Sequence, residues 1–411
     1  MSSGRRAWAL ALLVTGGVWP TSAIAQPAAP VQLATPHAHA AITPAGKDLG
    51  PTPDELALRA ILARYAAGDV AGAVGAIRAR PSRWTKEVID DAVARVDADL
   101  KYHERPDHWP GPTEFARVTR ELRGDRLRLL QLTAAVAVDA SLADAVLDDV
   151  GWHILGGERA IDHLFRLRPD IEREGPIPWP TVHAFAAAWY AAAVARLQEL
   201  VEMTLGPALV ERGLARCADD PELLLAQGSY AETRVALARI DTSLADTIWS
   251  ADDRRRWRAQ LGLAAGAYAR AGRDPSASRE VTIRLARLRL LEGDVRGARA
   301  LLDAALAANP PDELRYLARL FRGRAAEQAK DPAAAAADYE AARELRPDAP
   351  TPPIALSRLA DESGRPGDAS AWAERALATA AGGADPWRTY VEGQGWTLDA
   401  RMARLRRLGE P

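Results

Sequence analysis

The sequence is poor in several features that would assign it to a common functional class. It has one cysteine, Cys217, so no internal disulfide can form. Its formal net charge is −2, with 53 basic and 55 acidic residues, and it lacks the basic excess of nucleic-acid-binding proteins. We therefore expect stability to come from helix packing, and Cys217, within a predicted helical run, to be a small core residue.

Motifs of the common enzyme classes are also missing. The sequence has no nucleophile elbow, phosphate-binding glycine loop or paired-cysteine motif. Glu158, Asp162 and His163 fall on one predicted helix, but their spacing differs from the metal-binding pattern His-Glu-x-x-His. The histidines of this region are His103, His108, His153, His163 and His183. We predict no catalytic residue, metal site or cofactor, and keep an enzyme with an unrecognised histidine site as an alternative.

The N-terminus has the three parts of an export signal. Arg5 and Arg6 precede an apolar run from Ala7 to Trp19, which is too short to span a bilayer comfortably. Ala23-Ile24-Ala25 then provides a small-x-small cleavage site. Residues 1–25 are thus a predicted signal peptide, with an uncleaved anchor as the alternative, and residues 26–53 a Pro/Ala-rich linker. We expect a periplasmic or secreted protein with no stable membrane insertion once the signal is removed.

One spacing recurs three times in the C-terminal half. A small residue is followed twelve residues later by an alanine and seven residues after that by another. The first set is Ala286, Ala298 and Ala305, the second is Gly323, Ala335 and Ala342, and the third is Ser357, Ala369 and Ala376. Because successive sets begin 37 and 34 residues apart, the pattern predicts stacked helical hairpins, in which these small residues let paired helices pack closely.

This pattern resembles the tetratricopeptide repeat family. Pro310 and Pro347 follow the second helix of the first two repeats, as in the family, whereas the third repeat has no such proline. The family's large aromatic residue early in the first helix is missing from all three repeats. The resemblance is clear over about 210–380 and weak over 54–205. It implies an all-α, right-handed solenoid of helical hairpins.

The same pattern divides the chain. We predict a degenerate helical-repeat region at 54–205, and repeats at 206–384 with an irregular insertion near 234–278. A C-terminal cap is predicted at 385–411, with Trp387, Tyr390, Trp396 and Leu398 packing over the last hairpin. The turn segment that begins at Gly68-Asp69 recurs at Gly293-Asp294, which indicates one architecture from end to end.

The resemblance also suggests a binding surface. The residue after the first small residue of each set is Arg287, Arg324 or Arg358, and in the family this position faces the concave side. Three guanidinium groups in register could bind the carboxylates of an acidic peptide or a C-terminus. Alternatively, nearby acidic residues neutralise the arginines and leave a solvated face. These acidic residues are Glu327, Asp361 and Glu362.

Together these features predict a non-catalytic, exported scaffold that binds a protein or peptide through its concave face and is itself a monomer. A second hypothesis is a binding module for a glycan or another small ligand. In that case the tryptophans of the N-terminal half, Trp152, Trp179 and Trp189, would line the groove.

Overall fold

The computed structural model describes residues 52–88, 90–91, 94, 112–174, 177–240, 250–379, 385–387, 390 and 398–409. The predicted signal peptide and nearly all of the linker lie outside these ranges. Regular structure within them is helical throughout. None of the described helices combines the length and the apolar character needed to cross a membrane.

The helices of these ranges are α1 (Pro53–Ala66), α2 (Val70–Arg78), α3 (Pro112–Ala143), α4 (Leu147–Arg166), α5 (Arg168–Glu174), α6 (Trp179–Glu199), α7 (Leu205–Arg216), α8 (Pro221–Ile240), α9 (Ala251–Ala271), α10 (Ser278–Glu292), α11 (Val295–Ala307), α12 (Asp312–Gln328), α13 (Pro332–Leu345), α14 (Thr351–Glu362), α15 (Pro366–Thr379) and α16 (Leu398–Gly409).

These helices form consecutive hairpins. Helix α1 pairs with α2, α3 with α4, α6 with α7, α8 with α9, α10 with α11, α12 with α13 and α14 with α15. First helices also pack on one another, at α1–α3, α3–α6, α6–α8 and α10–α12. The first helices therefore lie together on one side of the array, and we call their shared surface the inner face. The predicted all-α solenoid of helical hairpins is confirmed.

The recurring turn has the same geometry in both halves. Gly68 and Gly293 adopt left-handed backbone conformations, with φ of 85° and 84°, which glycine tolerates best. The next residue, Asp69 or Asp294, accepts a hydrogen bond from the backbone N–H three positions on, at 2.9 Å in both turns. Each aspartate thus caps the following helix. One turn chemistry connects α1 to α2 and α10 to α11.

The small residues of the first two repeats lie where paired helices meet. Ala286, Ala298 and Ala305 of the first set are buried in one apolar cluster, and Ala335 and Ala342 of the second set are fully buried in the same cluster. Alanine at these positions leaves room for the facing helix to approach. The structure therefore uses the first two sets as packing residues of two successive hairpins.

Gly323, the first residue of the second set, shows how tight this approach is. A Cβ atom at this position would lie 2.5 Å from a ring carbon of Tyr339 on the partner helix. No larger residue fits there without moving the tyrosine. The glycine is therefore required by the close approach of α12 and α13.

The third set packs differently from the first two. Ala369 and Ala376 are buried residues of α15, but they lie outside the apolar cluster that the other alanines share. Ser357 is only partly buried, and its hydroxyl donates a hydrogen bond to the Ala369 carbonyl at 2.8 Å. Leu377, next to Ala376, is 76% exposed. The third set therefore also lies where two paired helices, α14 and α15, meet, but α15 is exposed on its other side because no later hairpin among the described residues covers it.

The expectation of an irregular insertion near 234–278 is wrong. Helix α9 pairs closely with α8, and Gly228 faces Tyr268 as Gly323 faces Tyr339. A Cβ atom on Gly228 would come within 2.2 Å of the Tyr268 ring. The connection from Ile240 to Ala251 is longer than the two-residue turn between α10 and α11, and this length hid the repeat in the sequence.

The N-terminal half forms one continuous core in which α6 is buried on nearly every side. Buried residues of α6 run without interruption from Phe185 to Gln198. Cys217, at the end of α7, is buried in this core, as predicted, and burial raises the pKa of its thiol to about 12. A helix that is apolar on all sides must be buried by several neighbouring helices.

Helix α16 provides part of that cover. Leu398, Met402 and Leu405 lie in the core of the N-terminal half, where α16 packs on α6 and α3. We expected Leu398 to pack over the last hairpin, and this expectation is wrong. Helix α16 is amphipathic, and its apolar face packs on the large apolar surface of α6 instead of on the last hairpin. Trp396 lies outside the described residues.

Overpacking tests the helix crossings. We expect Ala298→Leu and Ala335→Leu each to lower the free energy of unfolding by about 1–3 kcal/mol, because neither site has room for extra methylenes. Urea unfolding measures this change. The matched controls are Ala300→Leu and Ala337→Leu, on exposed positions of the same helices. Equal unfolding midpoints for crossing and control variants would contradict the assigned crossings.

Candidate functional site

The C-terminal residues run along the inner face. We call the described residues 385–387 and 390 the strap, and α16 follows them in the chain. The strap contacts α14 and α12 first, then α10 and α8, whereas α16 lies on α6 and α3. The chain therefore returns from its last hairpin to its first half across the first helices.

The first contact of the strap is a carboxylate held at a helix N-terminus. Asp385 is 5% exposed. Its carboxylate accepts hydrogen bonds from the Tyr316 hydroxyl at 2.8 Å, and from the backbone N–H and hydroxyl of Thr351 at 3.1 and 2.5 Å. Thr351 opens α14, where unpaired N–H groups and the helix dipole favour a negative charge. Asp385 thus joins the strap to both α12 and α14.

The second contact is aromatic. The rings of Trp387 and Tyr390 stack at 5.9 Å between centroids. Phe321 of α12 meets both edge-on, at 5.4 and 5.2 Å. The Arg287 guanidinium lies 5.5 Å from the Phe321 ring centre and 5.9 Å from that of Trp387. Stacking and cation–π attraction both add to the apolar burial of these rings.

The third contact is a buried polar cluster around Glu232 of α8. Its carboxylate accepts hydrogen bonds from the hydroxyls of Tyr390 and Tyr268, the latter at 2.7 Å. Arg284 lies 3.6 Å from the same carboxylate and 4.4 Å from the centre of the Tyr390 ring. Glu232 is 4% exposed and Arg284 1%, so each charge depends on its partner for stability.

Ionisation of the two tyrosines in this cluster is suppressed. Burial raises the pKa of Tyr268 and of Tyr390 well above the ordinary value, and the Glu232 carboxylate raises both further. Both hydroxyls therefore stay protonated and continue to donate hydrogen bonds to Glu232.

Helix α16 is held by ion pairs as well as by its apolar face. Arg401 and Arg404 lie 3.2 and 3.1 Å from the Glu222 carboxylate of α8. Arg406 pairs with Asp139, a buried residue of α3. The strap is thus anchored at both ends, by α15 before it and by α16 after it.

The three predicted arginines have different surroundings. Arg287 is only 19% exposed and lies against the strap. Arg324 and Arg358 are 49% and 39% exposed, and both pair with Glu327. Arg358 also pairs with Glu362 at 2.8 Å. This arrangement agrees with the alternative in which acidic neighbours neutralise the arginines, and their role in partner binding stays a prediction.

The residues that hold the strap were missed by sequence reasoning. Most of them lie on first helices that are separated from the strap by many residues, so no local spacing relates them. The only signal was the pair Trp387 and Tyr390 after the last repeat, two large rings that require cover. The residues missed are Glu232, Tyr268, Arg284, Tyr316, Phe321, Thr351 and Asp385.

The histidines of the N-terminal half do not come together in the described residues. His153 bonds Asp144 at 2.8 Å, and His163 lies 3.7 Å from Asp90. His183 packs against the rings of Phe165 and Trp179. Glu158 binds Arg212 and Asp162 binds Arg216. Among the described ranges, no group of three or more His, Cys, Asp or Glu could hold a metal ion. His103 and His108 lie outside them.

The three tryptophans proposed for a ligand groove make separate packing contacts. Trp189 is fully buried, and its indole N–H donates to the Ala134 carbonyl at 2.8 Å. Trp179 meets Phe165 edge-on at 5.2 Å, and the Arg83 guanidinium lies 4.5 Å from the Trp152 ring centre. Trp189 therefore cannot line an open groove.

Comparisons with known proteins find only remote similarity. No protein-family model and no curated protein matches the sequence. One similar solved structure is the human IFIT1 dimer with PPP-AAAA, at 17% identity and a TM-score of 0.36, covering 76% of this chain and 73% of that one. Another is the APC/C hetero-tetramer Cut9-Hcn1, at 11% identity and a TM-score of 0.31, covering 77% and 62%. The fold class, an all-α scaffold of tetratricopeptide-like hairpins, rests on the helix pairing described above.

The buried tyrosines predict a loss of stability at alkaline pH. Burial raises the pKa of Tyr65, Tyr190, Tyr230, Tyr268, Tyr316, Tyr339 and Tyr390 above the ordinary 10.0. A raised folded-state pKa favours the protonated form, so the stability it contributes is complete below pH 10 and falls as pH rises further.

We expect the absorbance of ionised tyrosine to stay low near pH 10 and to rise together with the loss of helical circular dichroism at higher pH. Urea-unfolded protein, titrated in parallel, is the control and should ionise near pH 10. Ionisation of most of the eight tyrosines near pH 10 with the helical signal retained would contradict this burial.

Proposed function

We propose that this protein is an exported, non-catalytic scaffold that binds a protein or peptide through the inner face of its helical array. The observation that carries the proposal is the strap. Four consecutive first helices, α8, α10, α12 and α14, hold this non-repeat stretch of polypeptide by side-chain hydrogen bonds and ring contacts. An inner face with these groups has the chemistry needed to bind a polypeptide segment.

The predicted signal peptide supports a periplasmic or secreted location. Near neutral overall charge supports a protein rather than a nucleic-acid partner. Arg324 of α12 and Arg358 of α14 are partly exposed, so a carboxylate of the partner could take the place of Glu327 or Glu362 beside them. An acidic protein or peptide is therefore the favoured partner, and we expect the scaffold itself to be a monomer.

Affinity capture tests this function. The bait is the chain without its predicted signal peptide, residues 26–411, incubated with extract of its native envelope. We expect Arg324→Ala/Arg358→Ala to retain at least about tenfold less partner, since a hydrogen bond to a charged group contributes about 1.5–3 kcal/mol. The triple variant that adds Arg287→Ala should retain no more partner than the double variant.

The matched control is Arg296→Ala/Arg299→Ala, which removes two exposed arginines from α11, a second helix away from the inner face. It should capture as much partner as the parent chain. Equal losses in both double variants, or none in either, would contradict binding through the inner face.

A further inference from the structure

We infer that the strap, whose residues 386–387 and 390 are helical, is an internal peptide ligand of the inner face, and that the external partner is a peptide that presents the same chemistry on a helical turn. This chemistry is Asp-Pro-Trp-x-x-Tyr, as in Asp385-Pro386-Trp387 and Tyr390. The inference rests on the proposed function and adds to it the kind of partner and the way in which its binding is regulated.

The contacts of the strap select side-chain chemistry at three separate positions. The first position takes a carboxylate, because Tyr316 and Thr351 offer three donors to Asp385. The second takes a large ring, because Phe321 and Arg287 provide an edge and a cation to Trp387. A segment without these groups would leave buried donors and apolar surface uncovered.

The third position takes a phenol. The Glu232 carboxylate accepts a hydrogen bond from the Tyr390 hydroxyl, and the Arg284 guanidinium lies over the Tyr390 ring. A phenylalanine in this place would remove the hydroxyl that donates to this buried carboxylate, so it would bind less tightly than a tyrosine. The three positions together specify an acidic residue, an aromatic residue and a tyrosine in a fixed order.

The strap is not part of the hairpin array that it covers. The paired helices α10 to α14 pack on one another through an apolar cluster that includes Ala286, Ala298 and Ala335, and Tyr390 and Trp387 of the strap pack onto the same cluster. The strap belongs to no hairpin and lies on the face that the array leaves open. It occupies the place of a bound peptide, with the difference that it is tethered at both ends.

The fit of the strap is also incomplete. Arg284 Nη2 and Arg287 Nε are buried but have no hydrogen-bond partner among the described residues. The two guanidinium groups lie against rings of the strap, Arg284 over Tyr390 and Arg287 near Trp387, and Arg287 Nε is 3.9 Å from the Glu232 carboxylate. A partner that adds a carboxylate beside its tyrosine would satisfy these donors, which gives it a way to displace the strap.

Tethering explains why displacement regulates binding. A tethered ligand has an effective concentration in the millimolar range, so a free peptide of equal intrinsic affinity competes poorly. The apparent affinity of the partner equals its intrinsic affinity multiplied by the fraction of molecules in which the strap is released. Weakening the strap should therefore increase binding of an external peptide without any change to the inner face.

The test uses the full chain, residues 26–411, and a fluorescently labelled peptide of residues 381–392 as the probe. In the opened variant, Trp387→Ala/Tyr390→Ala, the groups of the inner face and α16 are unchanged. Fluorescence anisotropy should show the opened variant binding the probe at least about tenfold more tightly than the parent. A control peptide with Asp385→Asn, Trp387→Ala and Tyr390→Ala should bind neither protein.

A second change locates the carboxylate position. In the opened variant with Asp385→Ala added, which vacates the carboxylate position, Tyr316→Phe removes one donor to the probe's aspartate, so it should weaken binding of the parent peptide. It should leave binding of an Asp385→Asn peptide unchanged, because the interaction is already lost there. Additive effects of the two changes would overturn the assignment of this position.

Circular dichroism and urea unfolding show whether the opened variant folds. If it does not, Asp385→Asn in the full chain is used, because it keeps the shape of the side chain and removes its charge and one of its two acceptor oxygens. It should also bind the probe more tightly than the parent. Failure of a folded, strap-weakened variant to bind the probe overturns the internal ligand.

This failure is distinguishable from failure of the proposed function. A native partner captured equally by parent and opened variant, with no probe bound, leaves the scaffold function standing and removes the strap as its regulator. Probe binding to the opened variant without any captured partner supports the internal ligand and removes the external one.

Discussion

The structure depends on the close approach of two helices in each hairpin. In three of the described hairpins a glycine faces a large ring: Gly323 faces Tyr339, Gly228 faces Tyr268 and Gly213 faces Tyr190. Because the ring fills the space that a side chain would take, the two helices pack without a void. The same arrangement in three different hairpins makes them alike enough to stack, although their sequences differ widely.

Stacking of first helices on one side creates an inner face that the chain then covers with its own C-terminal residues. The cover is polar as well as apolar. Asp385 and Glu232 are both buried, and each is satisfied by donors from several elements. Such buried polar clusters hold the strap at one position along the array, because hydrogen bonds need specific partners and apolar contacts do not.

Much of the hairpin array could be predicted from sequence, because its determinants are local. The spacing of Ala298 and Ala305 and the turn at Gly293 all lie within a few dozen residues. The path of the strap could not be predicted, because Tyr390 and Glu232 are 158 residues apart and neither belongs to a repeating pattern. The arginine positions followed from the repeat, but the Arg358–Glu327 pair joins two hairpins and has no signature in either one.

The contact between α16 and the first half changes how the array can unfold. An open array of repeats frays from its ends, one hairpin at a time, since each contacts only its neighbours. Here the strap and α16 join α12 and α14 to α6 and α3, so these hairpins are held by contacts beyond those with their neighbours in the array. The hairpins that the strap and α16 join should therefore unfold together, in one cooperative step, rather than one at a time.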